Sequence, residues 1–368
     1  MYRGGRLRAI NGATMMGTVA MTSRSGWIVL AAYQPDPELF ARQLRSIQDQ
    51  TLEDWTCIVS VDGDAETVRR VLAETVGDDP RFRLIVDDGV RRGFYLNFER
   101  GLLEVSVDAE WVALSDQDDF WYPEKLALLT ARLGEAPLVS GQARLVRHPS
   151  GEVLGVTDRV FSGQAELVLA NQVTGSLCVF RGELLKTALP FPRVPTRVET
   201  HDHWLAVCAA TYGDLAILDD VVQDYVQHGA NVYGDPSQQP AMGLAQTVRE
   251  TLEKARRYEG SASPFAVLRM FFLVQVGWRQ VIVEVLQARG RVVSPGVAAA
   301  FGRRRRLRPL RSLQRHAEAE GITVRRSSLE YLISWAAGAV TGGRRRAHRL
   351  AVRASSIPAL SRQGAGPG

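Results

Sequence analysis

The stretch that decides the fold is the apolar run Trp111-Val112-Ala113-Leu114, followed directly by Ser115-Asp116-Gln117-Asp118-Asp119-Phe120-Trp121. A short apolar run bounded by polar residues is typical of a buried strand. Three carboxylates within four residues then stand where this strand would end. Clustered carboxylates repel one another unless a cation or hydrogen-bond donors offset their charge. The stretch therefore predicts a divalent-metal site at a strand tip, because hard cations such as Mg²⁺ prefer oxygen ligands.

Apolar runs alternate with helix-like segments along the chain that precedes this stretch. The pattern predicts strands at residues 27–32, 55–61 and 82–86, and helices at residues 37–50, 65–75 and 97–104. This alternation is typical of βαβ units with a mostly parallel sheet, whose ligands bind beyond the carboxyl ends of the strands. We therefore expect Asp62 and Asp64 to lie beside the Asp116–Asp118 segment. Taken alone, Asp62-Gly63-Asp64 is equally well interpreted as an ordinary turn.

The pattern is less regular after residue 123. It predicts a helix at residues 124–133, irregular strands within 138–180, helices at 181–189 and 199–210, a strand at 215–222 and helices within 240–290. His201-Asp202-His203 stands at the N-terminal end of one of these helices, where the helix dipole favours a negative charge. Asp202 could therefore serve as a helix cap or carry chemistry, and each histidine could orient it or simply lie at the surface.

Composition sets outer limits on the protein. The chain has 368 residues, 45% of them apolar, which is enough for a packed core in one large or two ordinary domains. Cys57, Cys178 and Cys208 are far apart and lack metal-ligand spacing, so neither a disulfide framework nor a zinc cluster is implied. No uninterrupted apolar run reaches the ~18 residues of a spanning helix, and residues 1–24 lack the apolar segment of a secretory signal. We therefore expect a cytoplasmic active domain.

Charge is distributed unevenly along the chain. The formal net charge is +5, yet residues 291–368 contain sixteen arginines, no lysine and only three acidic residues, so the preceding part is acidic. Arginine tracts at residues 303–306 and 344–346 bracket the short apolar segment 331–340. Basic tracts beside apolar segments favour docking on an anionic membrane surface, and we expect this surface to be the inner face of the plasma membrane. Two alternatives stay open: a solvated tail, and nucleic-acid binding, which is disfavoured because no recognised nucleic-acid module is present.

Several motifs in residues 27–235 together resemble those of inverting family-2 glycosyltransferases with a GT-A fold, especially the bacterial rhamnosyltransferase-like branch. These motifs are Leu30-Ala31-Ala32-Tyr33, Leu44-Arg45-Ser46-Ile47-Gln48-Asp49-Gln50-Thr51, Val61-Asp62-Gly63, Gly93 with Asn97-Phe98, the stretch Ser115 to Leu126, His201-Asp202-His203-Trp204, and Gln227-His228-Gly229-Ala230-Asn231-Val232. Two positions depart from the family: Asp62-Gly63 replaces a doubled Asp followed by Gly-Ser, and Tyr95 stands where small residues are common.

The resemblance implies an α/β architecture of the GT-A type, a Rossmann-like, mixed and mostly parallel sheet with a C-terminal helical extension. It also divides the chain. We expect a basic, disordered leader at residues 1–24, a GT-A domain at 25–238, a helical extension at 239–290 and an Arg-rich tail with a short apolar segment at 291–368.

The resemblance further implies which residues bind the metal and the diphosphate. Asp116 and Asp118 match the family's Asp-x-Asp pair, which holds Mg²⁺ or Mn²⁺ and, through it, the diphosphate. Asp118 is expected to bind the ion directly, with Asp116 on the ribose or on metal-bound water. Asp119 would support these ligands or cap a helix. His228, in a Gly-rich loop that could close over the donor, matches a position that approaches the metal or diphosphate.

Other residues are implied on the nucleotide and the acceptor. Asp62 matches the position that contacts the nucleobase, and Tyr33 lies where the first strand would meet the base, although simple packing is its alternative. Arg92 and Asn97 would hold the nucleotide or order the loop. Asp202 matches the catalytic base, which takes the proton of the acceptor hydroxyl as that oxygen attacks the anomeric carbon.

The predicted function is therefore an inverting, metal-dependent transfer of a hexosyl or deoxyhexosyl group. The donor would be a UDP- or dTDP-linked sugar, and the acceptor a saccharide or lipid-linked hydroxyl in the assembly of a surface polysaccharide or glycolipid. Two alternatives are a sugar-phosphate nucleotidyltransferase, whose usual Gly-rich basic signature is missing near the first strand, and a non-catalytic nucleotide-sugar-binding protein, which would have no need of a base.

Overall fold

The computed structural model of the protein describes residues 25–86, 91–196, 198, 200–228, 244–323 and 325–356. The expected leader, residues 1–24, and the proposed closing loop at Gly229-Ala230-Asn231-Val232 lie outside the described residues. Within them, the strands are β1 (Gly26–Ala32), β2 (Trp55–Val61), β3 (Phe82–Val86), β4 (Trp111–Ser115), β5 (Phe120–Trp121), β6 (Leu138–Arg147), β7 (Glu152–Val156), β8 (Cys178–Arg181) and β9 (Ala216–Gln227).

The helices complete the described chain. They are α1 (Pro37–Gln48), α2 (Glu66–Val76), α3 (Phe94–Leu103), α4 (Lys125–Thr130), α5 (Gln164–Leu169), α6 (Leu185–Ala188), α7 (His201–Ala209), α8 (Leu244–Glu259), α9 (Pro264–Phe272), α10 (Trp278–Ala288), α11 (Pro295–Phe301), α12 (Leu307–Ala319), α13 (Arg325–Val340) and α14 (Gly343–Ser356). A π-helical turn, Leu273–Gly277, joins α9 to α10.

The described strands form one mixed sheet in the order β3-β2-β1-β4-β8-β6-β9-β5, with β7 paired to β6. Strands β1 to β4 are parallel to one another where they pair, and β6 is parallel to β9 over a long ladder. Strand β8 is antiparallel to both β4 and β6. The α/β class, the mixed and mostly parallel sheet and the C-terminal helices are thus confirmed, in agreement with a GT-A architecture.

Parallel pairing brings the carboxyl ends of β1, β2 and β4 to one edge of the sheet. Ala32 of β1 pairs with Val61 of β2, and Leu30 pairs with Ser115 of β4. The residues that follow these strands, Tyr33, Asp62 and Asp116, therefore share that edge. Asp36 caps α1 just beyond it, accepting hydrogen bonds from the next two free backbone N–H groups, at 3.0 and 3.1 Å.

Sequence patterns located the first half of the fold more accurately than the second. Helix α3 begins at Phe94 rather than residue 97, because Gly93 adopts φ 83° and starts the helix there. The segment expected to hold only irregular strands, 138–180, also contains helix α5. Strand β9 runs on to Gln227 rather than ending at 222, because β6 and β5 both pair with its second half.

Helices cover both faces of the sheet. On one face, α1, α2 and α4 bury residues such as Phe40, Val68 and Leu126 against the strands. On the other face, α3 and α7 pack together with α10, and Trp204 and Trp278 are almost fully buried there. The second layer is thus built partly from residues far beyond the sheet.

The helical part continues past residue 290 and is attached to the sheet layer by specific contacts. Arg289 donates hydrogen bonds to the carbonyl oxygens of Thr187 and Pro190, both at 2.6 Å. The Tyr331 hydroxyl donates to the Leu169 carbonyl at 2.6 Å. Helices α11 to α14 also contribute residues to the same buried cluster as β1 and β2, while the division of the chain into domains stays a prediction.

One described helix is long and apolar enough to cross a membrane, although the sequence led us to expect none. This continuous helix consists of α9, the π-helical turn and α10, and runs from Pro264 to Ala288. Of its most apolar window of 18 residues, 61% is buried inside the fold. A core helix of a soluble protein meets the same criteria of length and composition. This property is therefore weak support for a membrane span.

Gly182 provides a test of how the start of β4 is packed. A Cβ at Gly182 would stand 1.9 Å from the backbone oxygen of Ala109, two residues before β4 begins. Because backbone cannot yield as a side chain can, we expect Gly182→Ala to lower the free energy of unfolding by about 1–3 kcal/mol, measured by chemical denaturation. Gly134→Ala, where a Cβ would meet nothing within 4 Å, is the control. Equal stabilities of the two variants would contradict the close approach.

Candidate functional site

The residue between the two expected metal ligands fixes the end of β4 to the end of β1. The Tyr33 backbone N–H donates to Gln117 Oε1 at 2.7 Å, and Gln117 Nε2 donates back to the Tyr33 carbonyl at 3.1 Å. Ser115 is held from the other side, where its hydroxyl accepts from Gln43 at 2.8 Å. Gln117 thus sets the spacing between Tyr33 and the acidic stretch, a role that sequence reasoning missed.

Asp118 and His228 meet at this edge. His228 Nε2 lies 2.7 Å from Asp118 Oδ2, and both side chains are 18% exposed. Asp118 follows β4 and His228 follows β9, so the pair joins two strands that are far apart in sequence. The structure therefore brings together two of the three residues predicted to bind a metal, in a position open to a ligand.

Asp119 points away from solvent, into a polar pocket under the site. Its carboxylate accepts from Gln223 Nε2 at 2.8 Å and from the Val226 backbone N–H at 3.2 Å. Burial, followed by the charges of Asp116 and Asp118, raises the pKa of Asp119 well above its usual range. Asp119 therefore fastens β9 beneath the acidic stretch, which matches the supporting role considered for it rather than a helix cap.

Lys125 is a fully buried cation below the same carboxylates. Its ammonium donates to the Ser176 carbonyl and to Gln223 Oε1, and lies 3.7 Å from the centre of the Trp121 ring. Burial lowers the pKa of Lys125 well below its usual range, while the nearby Asp119 opposes that shift. The charges of Asp116 and Asp119 favour the charged form of Lys125, and Lys125 in turn favours the ionised form of both acids.

Asp116 experiences the electrostatic field of two other acids. Burial is the main cause that raises its pKa to about 7, and the charges of Asp118 and Asp202 add to it. A hydrogen bond from Ser176 and the charge of Lys125 act in the opposite direction. Asp202, more than eighty residues away in sequence, thus lies close enough to Asp116 to oppose its ionisation.

Asp202 lies in the first turn of α7. Thr200 is the residue at the cap position, and the Asp202 carboxylate accepts from the His203 backbone N–H at 2.7 Å. Asp202 is therefore not the N-cap residue of α7, although its carboxylate accepts a hydrogen bond from one of the free N–H groups in the first turn. One carboxylate oxygen is used in this bond, which fixes the direction of the side chain.

The two histidines beside Asp202 are both buried, 8% exposed at His201 and 4% at His203. His201 stacks on Phe98 with ring centres 3.9 Å apart. His203 accepts from Trp278 Nε1 at 3.4 Å and places its Nε2 2.8 Å from the Leu167 carbonyl. Burial lowers the pKa of His203 to about 4. The surface alternative for these residues is wrong, because the helices packed around α7 cover both rings.

Asp62 holds the loop before α3 in place. Its two carboxylate oxygens accept from the backbone N–H groups of Arg92 and Gly93, at 2.6 and 2.8 Å. Arg91, which the sequence did not single out, places its guanidinium 4.3 Å from the centre of the half-buried Tyr33 ring. These contacts form one wall of the site, and the predicted nucleobase contact of Asp62 stays a prediction.

Asn97 lies behind this wall. Its amide nitrogen donates to the carbonyl oxygens of Ser60 and Ala32, at 2.8 and 3.4 Å, and its oxygen accepts from the Ser60 hydroxyl at 2.7 Å. Only 2% of Asn97 is exposed. Both donor hydrogens are therefore used between β1, β2 and α3, which favours loop ordering over direct contact with a nucleotide.

Arg159 is a further residue that sequence reasoning missed. Among the described residues, its buried Nε has no hydrogen-bond partner. Burial lowers the pKa of Arg159, while the charge of Asp202 raises it. Gln142 fixes the residue by its backbone, accepting from the N–H and donating to the carbonyl, each at 3.0 Å. Arg159 thus adds a cation beside Asp202.

The donor atoms at this edge are of a kind that suits a divalent cation. Among the described residues, no group of three or more His, Cys, Asp or Glu side chains is already arranged to hold a metal. Mg²⁺ is usually bound by one or two carboxylates together with phosphate and water, so a complete protein cage is not required. The repulsion that raises the pKa of Asp116 is one that a cation would relieve. Asp118, Asp116 and His228 therefore fit Mg²⁺ or Mn²⁺ as partial ligands.

The pKa of Asp116 predicts a pH dependence of stability in metal-free protein. A carboxyl whose pKa is about 7 in the folded state and 3.8 when unfolded binds its proton more tightly in the folded state. Stability is therefore lost as the pH rises from about 4 to 7. We expect Asp116→Asn to flatten this profile and to be more stable than the native protein at pH 8 in EDTA.

Urea denaturation at a series of pH values measures this effect. Asp108→Asn, an exposed acid away from the site, is the control and should keep the native profile. An Asp116→Asn profile as steep as that of the native protein would show that Asp116 does not carry the raised pKa.

Comparison with protein families matches residues 27–171 to the model of Glycosyl transferase family 2. Among curated proteins, the succinoglycan biosynthesis protein ExoW of Rhizobium meliloti is 32% identical over 99 residues, which cover 27% of this chain and 31% of ExoW. The uncharacterized protein y4gI of Sinorhizobium fredii is 27% identical over 111 residues, or 30% of this chain and 12% of that protein. The match thus spans less than a third of either relative's length.

Solved structures of low identity are also similar to this chain. TarS residues 1–349 of S. aureus, in complex with UDP-GlcNAc, is 12% identical with a TM-score of 0.47, covering 89% of this chain and 92% of that one. The mannosyltransferase PcManGT from Pyrobaculum calidifontis, in complex with GDP-Man and Mn²⁺, is 17% identical with a TM-score of 0.44, covering 94% and 89%. The family match ends before Asp202 and His228. Residues 27–171, with the first four parallel strands and the Asp116–Asp119 stretch, are thus the part of this chain that matches Glycosyl transferase family 2.

Proposed function

We propose that the protein is an inverting, metal-dependent glycosyltransferase that moves a sugar from a nucleotide diphosphate donor to an acceptor hydroxyl. The match of residues 27–171 to Glycosyl transferase family 2 supports sugar transfer in general. The observation that carries the proposal for this chain is that Asp202 and Asp116 both adjoin the turn at Gly175 and Ser176. A Cβ at Gly175 would stand 3.5 Å from Asp202 Cβ, and Ser176 donates a hydrogen bond to Asp116, whose ionisation the charge of Asp202 opposes. This second carboxylate comes from outside the matched residues, and its influence on Asp116 supports a role for it in the same site.

Two carboxylate sites at one edge suit two different tasks. A leaving diphosphate needs its negative charge offset, whereas an attacking hydroxyl needs a group that removes its proton. Asp118 and His228 lie on the strand-end side and would serve the first task. Asp202 lies on α7 and would serve the second. Separate elements can thus hold the donor and the acceptor on opposite sides of the reacting carbon.

The donor nucleotide is proposed to lie against the wall formed by Tyr33 and the loop before α3. The Tyr33 ring would contact the base or the ribose, and the Arg91 guanidinium lies over that ring, 4.3 Å from its centre. Asp62 keeps this loop in place through two backbone hydrogen bonds, and each of its oxygens retains a second lone pair for a base N–H. UDP- or dTDP-linked donors fit these polar groups.

In the proposed reaction, Asp202 accepts the proton of the acceptor hydroxyl while that oxygen attacks the anomeric carbon. One in-line displacement inverts the configuration at that carbon. A bound Mg²⁺ or Mn²⁺ would act as a Lewis acid for the departing diphosphate. Gln117 keeps Tyr33 and the acidic stretch at a fixed spacing, and buried Lys125 lowers the cost of crowding three acids together.

The acceptor is proposed to be a saccharide or lipid-linked hydroxyl used in surface polysaccharide or glycolipid assembly. ExoW, a partial relative, is named as a succinoglycan biosynthesis protein, which supports this class. Arg159, whose charge interacts with that of Asp202, would contact the acceptor in this proposal. Transfer of a hexosyl or deoxyhexosyl group, and placement in the rhamnosyltransferase-like branch, are parts of the same proposal.

Two substitutions separate the proposed roles. We expect Asp202→Asn to lower transfer by about 10²–10⁴-fold because the general base is lost, while donor binding stays near the native value. We expect Asp118→Ala to weaken Mn²⁺-dependent donor binding itself. Product formation from a panel of UDP-, dTDP- and GDP-sugars, with thermal shift as the measure of donor binding, tests both.

Asp158→Asn, an exposed acid next to Arg159, is the matched control and should leave both measurements unchanged. Normal transfer by Asp202→Asn would remove the base assignment. If the native protein bound and used no nucleotide sugar in the panel, the proposed function itself would be wrong.

A further inference from the structure

Helix α13 carries an apolar stripe on its outer face. Leu329, Ile333 and Val340 are 58%, 54% and 73% exposed, and Ala336 between them is exposed as well. Spacings of four, three and four residues place all four on one side of a helix. The opposite side packs inward through Tyr331, which is only 4% exposed. From Leu329 to Val340, the helix is therefore apolar on both its inner and its outer side.

An exposed apolar stripe of this length indicates an interaction surface. Single exposed apolar residues are normal on protein surfaces, but a continuous apolar patch marks an interaction site. The neighbouring helix α9, against which α13 packs, also exposes two phenylalanines, Phe265 at 59% and Phe271 at 41%. The one acid at the start of the stripe, Glu330, is partly buried and accepts a hydrogen bond from Gln275 at 3.3 Å.

A group of arginines lies next to the C-terminal end of the stripe. Directly after Val340, the turn into α14 borders an open cavity of about 420 Å³ lined by Arg269, Thr341, Gly342, Arg345, Arg346 and Arg349. Two of these cations are neutralised, because Arg269 donates to the buried Glu259 at 2.6 Å and Arg346 also donates to it. Among the described residues, exposed Arg345 and Arg349 have no ion pair. The cavity thus keeps a positive excess.

We propose that this surface, the α13 stripe together with Arg345 and Arg349, docks the protein on an anionic lipid bilayer. Apolar side chains of an interfacial helix enter the boundary between headgroups and acyl chains, while flanking arginines bind headgroup phosphates. The combination selects a lipid surface over other occupants. Nucleic acid would leave the apolar stripe uncovered, and a second copy of the chain would bring like-charged arginine cavities to the same interface.

This proposal does not depend on the transfer reaction, because the surface belongs to α13 and α14 and shares no residue with the Asp116–Asp202 site. The proposal assigns different roles to the arginines of residues 291–368. Only the outward-facing arginines serve the bilayer, and buried Arg305 packs inward with 4% exposure, donating to Gln280.

Vesicle flotation with the full chain tests the proposal. We expect binding to vesicles of phosphatidylcholine mixed with phosphatidylglycerol, little binding to phosphatidylcholine alone, and weaker binding at high salt because the headgroup attraction is screened. Arg345→Gln and Arg349→Gln should each weaken binding about fivefold. Ile333→Ser and Val340→Ser should weaken it at every salt concentration.

Matched controls lie on the sheet part of the protein. Val107→Ser and Arg69→Gln, an exposed valine and an exposed arginine, should bind as the native chain does, and thermal unfolding verifies that each variant folds. Absence of native binding, equal binding to neutral vesicles, or equal losses in the controls would each overturn the proposal. A dimer in light scattering that Ile333→Ser dissociates would instead assign the stripe to a second copy.

Discussion

Electrostatic repulsion at the end of β4 is the constraint on which the rest of the site depends. Three acids in four residues can coexist only if the protein offsets their charge or keeps some of them protonated. The fold does both. Lys125 and Gln223 lie under the acidic stretch, His228 meets Asp118 at 2.7 Å, and burial raises the pKa of Asp116 to about 7.

The topology of the sheet brings the side chains that offset this negative charge to the acidic stretch. Strand β9 runs between β6 and β5, so Gln223, Val226 and His228 reach the acidic stretch from more than a hundred residues away. Helix α4, directly after the stretch, turns Lys125 inward to the same place. On the other side, α10 packs behind α7 and fixes His203 through Trp278. Helix α10 thus holds His203 and, through this neighbour, supports the position of Asp202.

The sequence allowed the edge to be predicted because strands and their polar ends are local patterns. The family resemblance predicted that Asp116, Asp118 and His228 bind one metal ion. The structure brings all three residues to that edge. Asn97 was expected to hold the nucleotide or to order the loop, and its hydrogen bonds to β1 and β2 favour the second role. Gln117, Arg91 and Arg159 gave no signal, because their roles rest on contacts with residues distant in sequence, which neither spacing nor composition reveals.

The central claim is that the acidic stretch binds a donor diphosphate through a divalent cation at Asp118. Crystals grown with Mn²⁺ and a nucleoside diphosphate, measured at a wavelength where manganese scatters anomalously, test it most directly. The account predicts one strong anomalous peak in contact with the Asp118 carboxylate, with the diphosphate bound to the same ion and the base beside Tyr33. A diphosphate bound at this edge with no ion at Asp118, or an ion bound elsewhere, would contradict it.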